Sequence, residues 1–215
     1  MESTIMNYNQ DIINIYKNLA VITKKYPERL IDVLQCFNQN QYKCKTWLVD
    51  KLNKYPYHFK MKTKDSIDIA VLGGWYGLTA KLLFDNFSIK PIRNIHSYDF
   101  DPFAKKFGQM FFPVINFHEK DIKDLQIGEK SFSIVVNTSC EHIEQKVIDQ
   151  TIDKAPQETL FVLQSNNYVE LDQHINCSAS LKDFADKYDG KLKNLQMHEL
   201  DMDQYTRFML IGTKQ

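Results

Sequence analysis

Residues Ile67 to Leu83, IDIAVLGGWYGLTAKLL, constrain the fold of this 215-residue chain more than any other stretch. A short β-branched run, Ile67 to Leu72, leads into a glycine cluster, and a helix is predicted from about Tyr76 to Phe87. β-Branched side chains crowd a helix but suit a pleated strand, and a backbone without Cβ can turn sharply. The rhythm continues downstream. Ile92 to Tyr98 reads as a second strand ending in Asp99-Phe100-Asp101-Pro102, where Asp101 can cap the next helix and Pro102 suits its first position. Val114 to Phe117, Phe132 to Asn137 and Leu160 to Gln164 supply three more strands, with a helix starting near His142 between the last two. Five strands with helical connections predict a parallel sheet with right-handed crossovers.

The two ends read differently. Before residue 60 there is no strand alternation. Ile12, Ile15, Tyr16 and Leu19 recur at helical spacing, as do Leu30, Val33, Leu34 and Phe37 after Pro27. A third helix is expected from about Gln41 to Leu52, with Tyr42, Cys44, Trp47, Leu48 and Leu52 as its apolar positions. Pro56 and the polar tract Lys60 to Asp65 then punctuate the chain. At the C-terminus, Leu195 to Leu200 and Tyr205 to Ile211 are strand-like runs joined by Asp201 to Gln204, a hairpin pattern. The expected architecture is α/β: residues 1–60 form an N-terminal helical cap, and residues 61–215 form a mostly parallel sheet closed by a C-terminal antiparallel hairpin.

Lys plus Arg equals Asp plus Glu at 27 each, so the net charge is zero. Non-specific nucleic-acid affinity rests on an excess of cations, so long duplex is not an expected partner. Met1 to Asp11 has no basic segment followed by an apolar run, and no stretch approaches about 18 consecutive apolar residues, so neither a secretory signal nor a membrane partner is expected. The four scattered cysteines, Cys36, Cys44, Cys140 and Cys177, form no CxxC pair and point to a reduced, cytoplasmic setting. Cys36 and Cys44 are expected to be buried on helices.

The run from Ile67 to Leu83 resembles the first motif of class I S-adenosylmethionine (SAM)-dependent methyltransferases, and the C-terminal hairpin is typical of that Rossmann-like fold. The resemblance implies SAM as cofactor, with Gly73, Gly74, Trp75, Tyr76 and Gly77 forming the turn against it. Trp75 stands where the family usually has its middle glycine, and Val71 where it often has an acid. Asp99 lies 22 positions after Gly77, where a carboxylate holds a ribose hydroxyl pair. Asp121-Ile122 falls where the family places residues facing the adenine, and Asn137 ends the fourth strand beside the cofactor. A nicotinamide dinucleotide would be served by Asp99 equally well; against it stand the absent GxGxxG spacing and the terminal hairpin. A tight turn and a loop acid with no ligand are the blander alternative.

The polar segments after strands four and five, Asn137 to Ile143 and Gln164 to Tyr168, are expected to wall the reaction site. Glu141-His142 resembles the pair after strand four in ubiquinone-pathway O-methyltransferases. Together with His174 it also resembles the metal-holding residues of small-RNA 3′-terminal 2′-O-methyltransferases. Thr138 stands where the first metal-binding glutamate of those enzymes falls, which argues against a divalent metal. Metal-free acid–base work by His142, His174 or Glu141 is the second reading, since imidazole titrates near neutrality. The third is structural, with Glu141 and His142 capping the next helix. Cys140 would be a nucleophile only with a stabilised thiolate. Arg207 is expected as an exposed cation on the last strand. NTSCEH and RFMLIG also resemble segments of phage-encoded methyltransferase-like proteins. The implied activity is methyl transfer to a small molecule, a nucleotide or an RNA end. A lyase, an aminopropyl-type transferase, a SAM-binding regulator or a silent scaffold would carry the same motifs.

Overall fold

The computed structural model describes residues 2–56, 65–130 and 132–215, and over residues 2–12 the course of the backbone alone. Most of the tract Lys60 to Asp65, and with it the expected boundary at residue 60, lies outside the described residues. Three helices come first: α1 (Glu2–Lys25), α2 (Leu30–Cys36), entered through a 3₁₀ turn at Pro27–Arg29, and α3 (Gln39–Lys54). Asn38 starts α3 by accepting the Gln41 N–H at 2.8 Å, which satisfies a donor the helix cannot.

Strands and helices then alternate: β1 (Ile67–Leu72), α4 (Leu78–Asn86), β2 (Ile92–Asp99), α5 (Pro102–Phe111), β3 (Asn116–Glu119) and β4 (Ile134–Asn137). The chain ends with α6 (Gln145–Lys154), β5 (Leu160–Asn166), α7 (Leu181–Asp186), β6 (Leu192–Asp201) and β7 (Thr206–Lys214). Asp101 and Pro102 start α5 as expected, the Asp101 carboxylate accepting from Phe103 N at 2.9 Å. The link from β3 to β4 differs from the expected helix: its helical parts are two 3₁₀ turns, Ile122–Asp124 and Ile127–Glu129.

One seven-stranded sheet results, in the order β3-β2-β1-β4-β5-β7-β6, parallel through β5 and antiparallel at β7 and β6. This is the Rossmann-like methyltransferase fold. The last strand inserts inside its hairpin partner, and the sequence explains why. Phe208 to Ile211 is apolar on both faces and buried throughout, whereas β6 alternates and tolerates the edge.

The core has two layers. One face of the sheet, with Ile69, Val71, Ile95, Val136 and Val162, packs under the N-terminal helices, α4 and α5. The other, with Leu72, Val135, Phe161 and Leu210, packs under α6 and α7. Cys36 and Cys44 are buried on their helices as expected. Tyr16, Leu34 and Tyr42, read as apolar-face positions, are exposed. A helical repeat gives the spacing of a face but not how far a neighbour covers it.

Candidate functional site

β1 and β4 are adjacent and parallel, but the chain builds the sheet toward one edge from β1 and toward the other from β4, a switch point at which a crevice is expected beyond their carboxyl ends. The turn after β1 forms one wall. Gly73, Trp75 and Gly77 have φ of 60°, 49° and 93°. A Cβ on Gly74 would overlap Ser97 Oγ, and one on Gly77 the Phe117 ring, so strands β2 and β3 close against the turn only because both lack a side chain. Trp75 holds a left-handed conformation without being glycine, at a cost of about 1–2 kcal/mol. Its N–H donates to Asp99 Oδ2 at 2.9 Å, and its ring stacks on Tyr76 with centroids 5.7 Å apart.

Asp99 ends β2 at the turn. Its Oδ1 accepts from Asp101 N at 3.0 Å. Burial raises its pKa, opposed by the Trp75 N–H. The N-terminal helices reach this loop: Tyr76 donates its hydroxyl to Asp32, and Arg29 pairs with Asp101 while covering the Phe103 ring at 4.7 Å. Asp121 accepts from Lys123 N at 2.9 Å and so caps the turn after β3. The half-buried Ile122 packs against the core under α6.

The segments after β4 and β5 form the other wall. Gly73 lies against Ser139, where a Cβ would stand at an ordinary 3.5 Å. Asn137 is buried, its Oδ1 accepting from Ser139 N at 2.9 Å. Cys140, Glu141 and His142 form a 3₁₀ turn, and α6 starts three residues later at Gln145 with Glu144 as its N-cap residue. Glu141 and His142 therefore do not cap α6. Cys140 is fully buried, and burial pushes its thiol up to about 12, which leaves no thiolate to act as a nucleophile.

Arg207 overturns the exposed-cation reading. It is 6% exposed, with Nη1 donating to Glu141 Oε1 at 2.5 Å and Nη2 to Thr138 O. Asn166 Nδ2 donates to the same Glu141 oxygen at 2.9 Å, while Glu141 Oε2 is buried without a hydrogen-bond partner. Above this pair stand His142 and His174, ring centroids 4.6 Å apart. Their Nδ1 atoms meet carbonyls, Gln173 O at 3.1 Å and Tyr168 O at 2.5 Å. A carbonyl only accepts, so each Nδ1 carries a proton and Nε2 is the atom each ring has left to offer. One ligand atom each from Glu141, His142 and His174 falls within 4.8 Å of the others. Desolvation lowers the His142 pKa, with Glu141 opposing and His174 adding to the shift. The sequence pairs Glu141 with His142 and anticipates His174; it contains no signal that Arg207 joins them from 66 residues away.

No family model matches this chain, and no curated protein does. Its fold is shared with solved methyltransferases at low identity. The plantazolicin methyltransferase BpumL, solved with a desmethylplantazolicin analogue and S-adenosylhomocysteine (SAH), superposes with a TM-score of 0.61 at 11% identity, over 96% of this chain and 98% of that one. Magnesium protoporphyrin IX methyltransferase from Synechocystis PCC 6803, solved with SAM, gives 0.61 at 10% identity over 92% and 97%. A TehB-like SAM-dependent methyltransferase from Corynebacterium glutamicum gives 0.56 at 13% identity over 91% and 100%. Among the described residues no helix is long and apolar enough to cross a membrane.

Proposed function

We propose that this protein is a SAM-dependent methyltransferase whose acceptor, a small molecule, a nucleotide or an RNA end, sits between the glycine turn and the His142–His174 pair. The observation that carries this reading is the closeness of the two walls at Gly73 and Ser139, with His142, three residues beyond the latter, set ring to ring against His174. The chain's residues suit a nucleoside cofactor. Asp99 has carboxylate lone pairs to spare after its two backbone bonds, because a carboxylate accepts about four. Gly73, Gly74 and Gly77 offer backbone rather than side chains to it, while Trp75 and Tyr76 carry rings, that of Tyr76 buried and bonded to Asp32.

When bound, the cofactor supplies an electrophilic methyl group on sulfur. The protein's task is then alignment, with removal of a proton where the acceptor must lose one. His142 Nε2 is the proposed acceptor of that proton, with Nδ1 anchored on Gln173 O. His174, anchored on Tyr168 O, orients the ring edge-on. Glu141, held beneath by Arg207 and Asn166, stabilises the charge that forms on His142. The test supplies methyl-labelled cofactor and a cell extract. His142→Ala should lower label transfer 10²–10⁴-fold while SAH affinity stays within twofold, and the wild-type rate should fall as pH drops through the lowered His142 value. Cofactor breakdown without label transfer would point to a lyase, and full activity of His142→Ala would remove the histidine from the mechanism.

The convergence of Glu141, His142 and His174 within 4.8 Å favours a second reading, in which the three hold one divalent ion that would polarise an acceptor hydroxyl. Oxygen and imidazole donors with fixed tautomers suit such an ion, although Arg207 already neutralises much of the Glu141 charge. Transfer activity unchanged by exhaustive chelation would end that reading. A response to Mn²⁺ lost in His174→Ala would support it.

A further inference from the structure

A full helix between β3 and β4 would lie along β2 and β3 on the face of the sheet shared with α6, but the chain forms two 3₁₀ turns there. A cavity of about 300 Å³ opens between those turns and the strands, a volume at the small end for ligand pockets. It is separate from the crevice, for neither the glycine turn nor Asp99, Asn137, His142 or His174 lines it. Its walls are largely rings. Tyr98 from β2 and His118 from β3 are partners in register, and their rings stack with centroids 4.6 Å apart and planes 18° apart. Phe132 meets the Tyr98 ring at 83°, and Leu125 joins it in the lining. Flat apolar walls at right angles suit a flat guest, which can stack on one ring and meet another edge-on.

Two donors meet at one point of this lining. Tyr98 is 4% exposed, and burial raises its pKa to about 12, so its hydroxyl keeps its proton. Lys130 Nζ donates to Tyr98 Oη at 3.4 Å, while the hydroxyl proton itself meets no acceptor among the described residues. A phenolic O–H and an ammonium side by side are matched to the two oxygens of a carboxylate. Lys105 and Lys120 also line the cavity, and Glu119, Asp124 and Glu129 offset the three lysines. A lining without net charge accepts one negative charge at the Lys130 end more readily than the two of a phosphate, which the three acids would repel.

We propose that this cavity is a second ligand site, which takes a planar aromatic carboxylate, its ring among Tyr98, His118 and Phe132 and its oxygens on the Tyr98 hydroxyl and the Lys130 ammonium. The site shares a wall with the crevice without opening into it: Tyr98 O accepts from Gly74 N at 3.1 Å, and Asp99 O from Lys120 N at 2.8 Å. It stands independently of the methyl-transfer reading.

The test titrates benzoate, benzyl alcohol, cyclohexanecarboxylate and phenyl phosphate into wild type, Tyr98→Phe and Lys130→Gln. Binding is read by calorimetry and by the ring signals of His118 in NMR spectra, with and without saturating SAH. Benzoate should bind wild type more tightly than the other three probes, shift the His118 signals and be indifferent to SAH. Tyr98→Phe keeps the ring and loses one neutral donor, so it should weaken benzoate about two- to tenfold; Lys130→Gln loses a charged donor and should weaken it about tenfold or more. Benzyl alcohol should bind all three proteins within about twofold, because it lacks the charge that Lys130 recognises. Wild type that ignores benzoate at millimolar concentration would overturn the proposal, as would benzoate binding untouched by both substitutions or displaced by SAH. Phenyl phosphate binding more tightly than benzoate would overturn the choice of a carboxylate. Benzoate binding with these losses in a protein that ignores SAH would support the second site and overturn the cofactor reading alone.

Discussion

Arg207→Met removes the guanidinium that holds Glu141 in the floor of the site. Glu141 is 3% exposed, and with Arg207 gone its carboxylate keeps the Asn166 amide as its direct hydrogen-bond donor. The Thr138 carbonyl loses its donor in the same step. Stripping one partner from a buried ion pair costs about 3–5 kcal/mol, because the remaining charge is left uncompensated in a medium that solvates it poorly. A domain of this size shifts by about 2–4 °C per kcal/mol, so melting should fall by about 6–20 °C. Removing both charges in Glu141→Gln/Arg207→Met should recover much of that loss, since no buried charge is then orphaned. The assay is thermal and urea denaturation of wild type, both single variants and the double variant, read as a cycle. Melting of Arg207→Met within about 2 °C of wild type would refute the account. So would a double variant no better than the worse single one, because the two side chains would then not be acting on each other.

Asp99→Ala should weaken SAH binding at least tenfold, since a hydrogen bond to a charged acceptor contributes about 1.5–3 kcal/mol; calorimetry that finds wild-type affinity would remove Asp99 from the cofactor site. Gly74→Ala should destabilise the protein by about 1–3 kcal/mol through overlap with Ser97 Oγ, and Gly74→Ala/Ser97→Ala should relieve part of it, as measured by urea melts. On the β2–β3 edge, His96 Nδ1 meets His118 Nε2 at 2.8 Å; burial, then the charges of His96, Lys130 and Lys105, lowers the His118 pKa to about 4. The unfolded chain therefore binds a proton that the folded chain refuses, and stability present above about pH 6.5 is lost as pH falls toward 4. His118→Asn should flatten that dependence in melting curves between pH 4 and 7, and an unchanged slope would show that other groups set it.

Much of the fold follows from features that act over a few residues. The strand–turn–helix around Gly73 to Gly77 is written in β-branched residues and in glycines that alone fit between neighbouring strands. The start of α5 is written in Asp101-Pro102, and the inner place of β7 in an apolar run with no polar face to offer solvent. These signals are legible because backbone sterics, capping and periodicity act locally. The helix expected from near His142 starts at Gln145, because Cys140 to His142 take a tight 3₁₀ turn that brings Glu141 to Asn166. Arg207 shows the deeper limit. A lone cation in a strand reads as exposed, since burying it without a partner is prohibitive, and its partner lies 66 residues earlier in the chain. Local chemistry sets which elements form, and the sequence alone determines that much. Which charges meet in the crevice is decided by the packing of distant elements, because the desolvation that makes a buried charge costly or useful exists only once the tertiary structure has excluded the water.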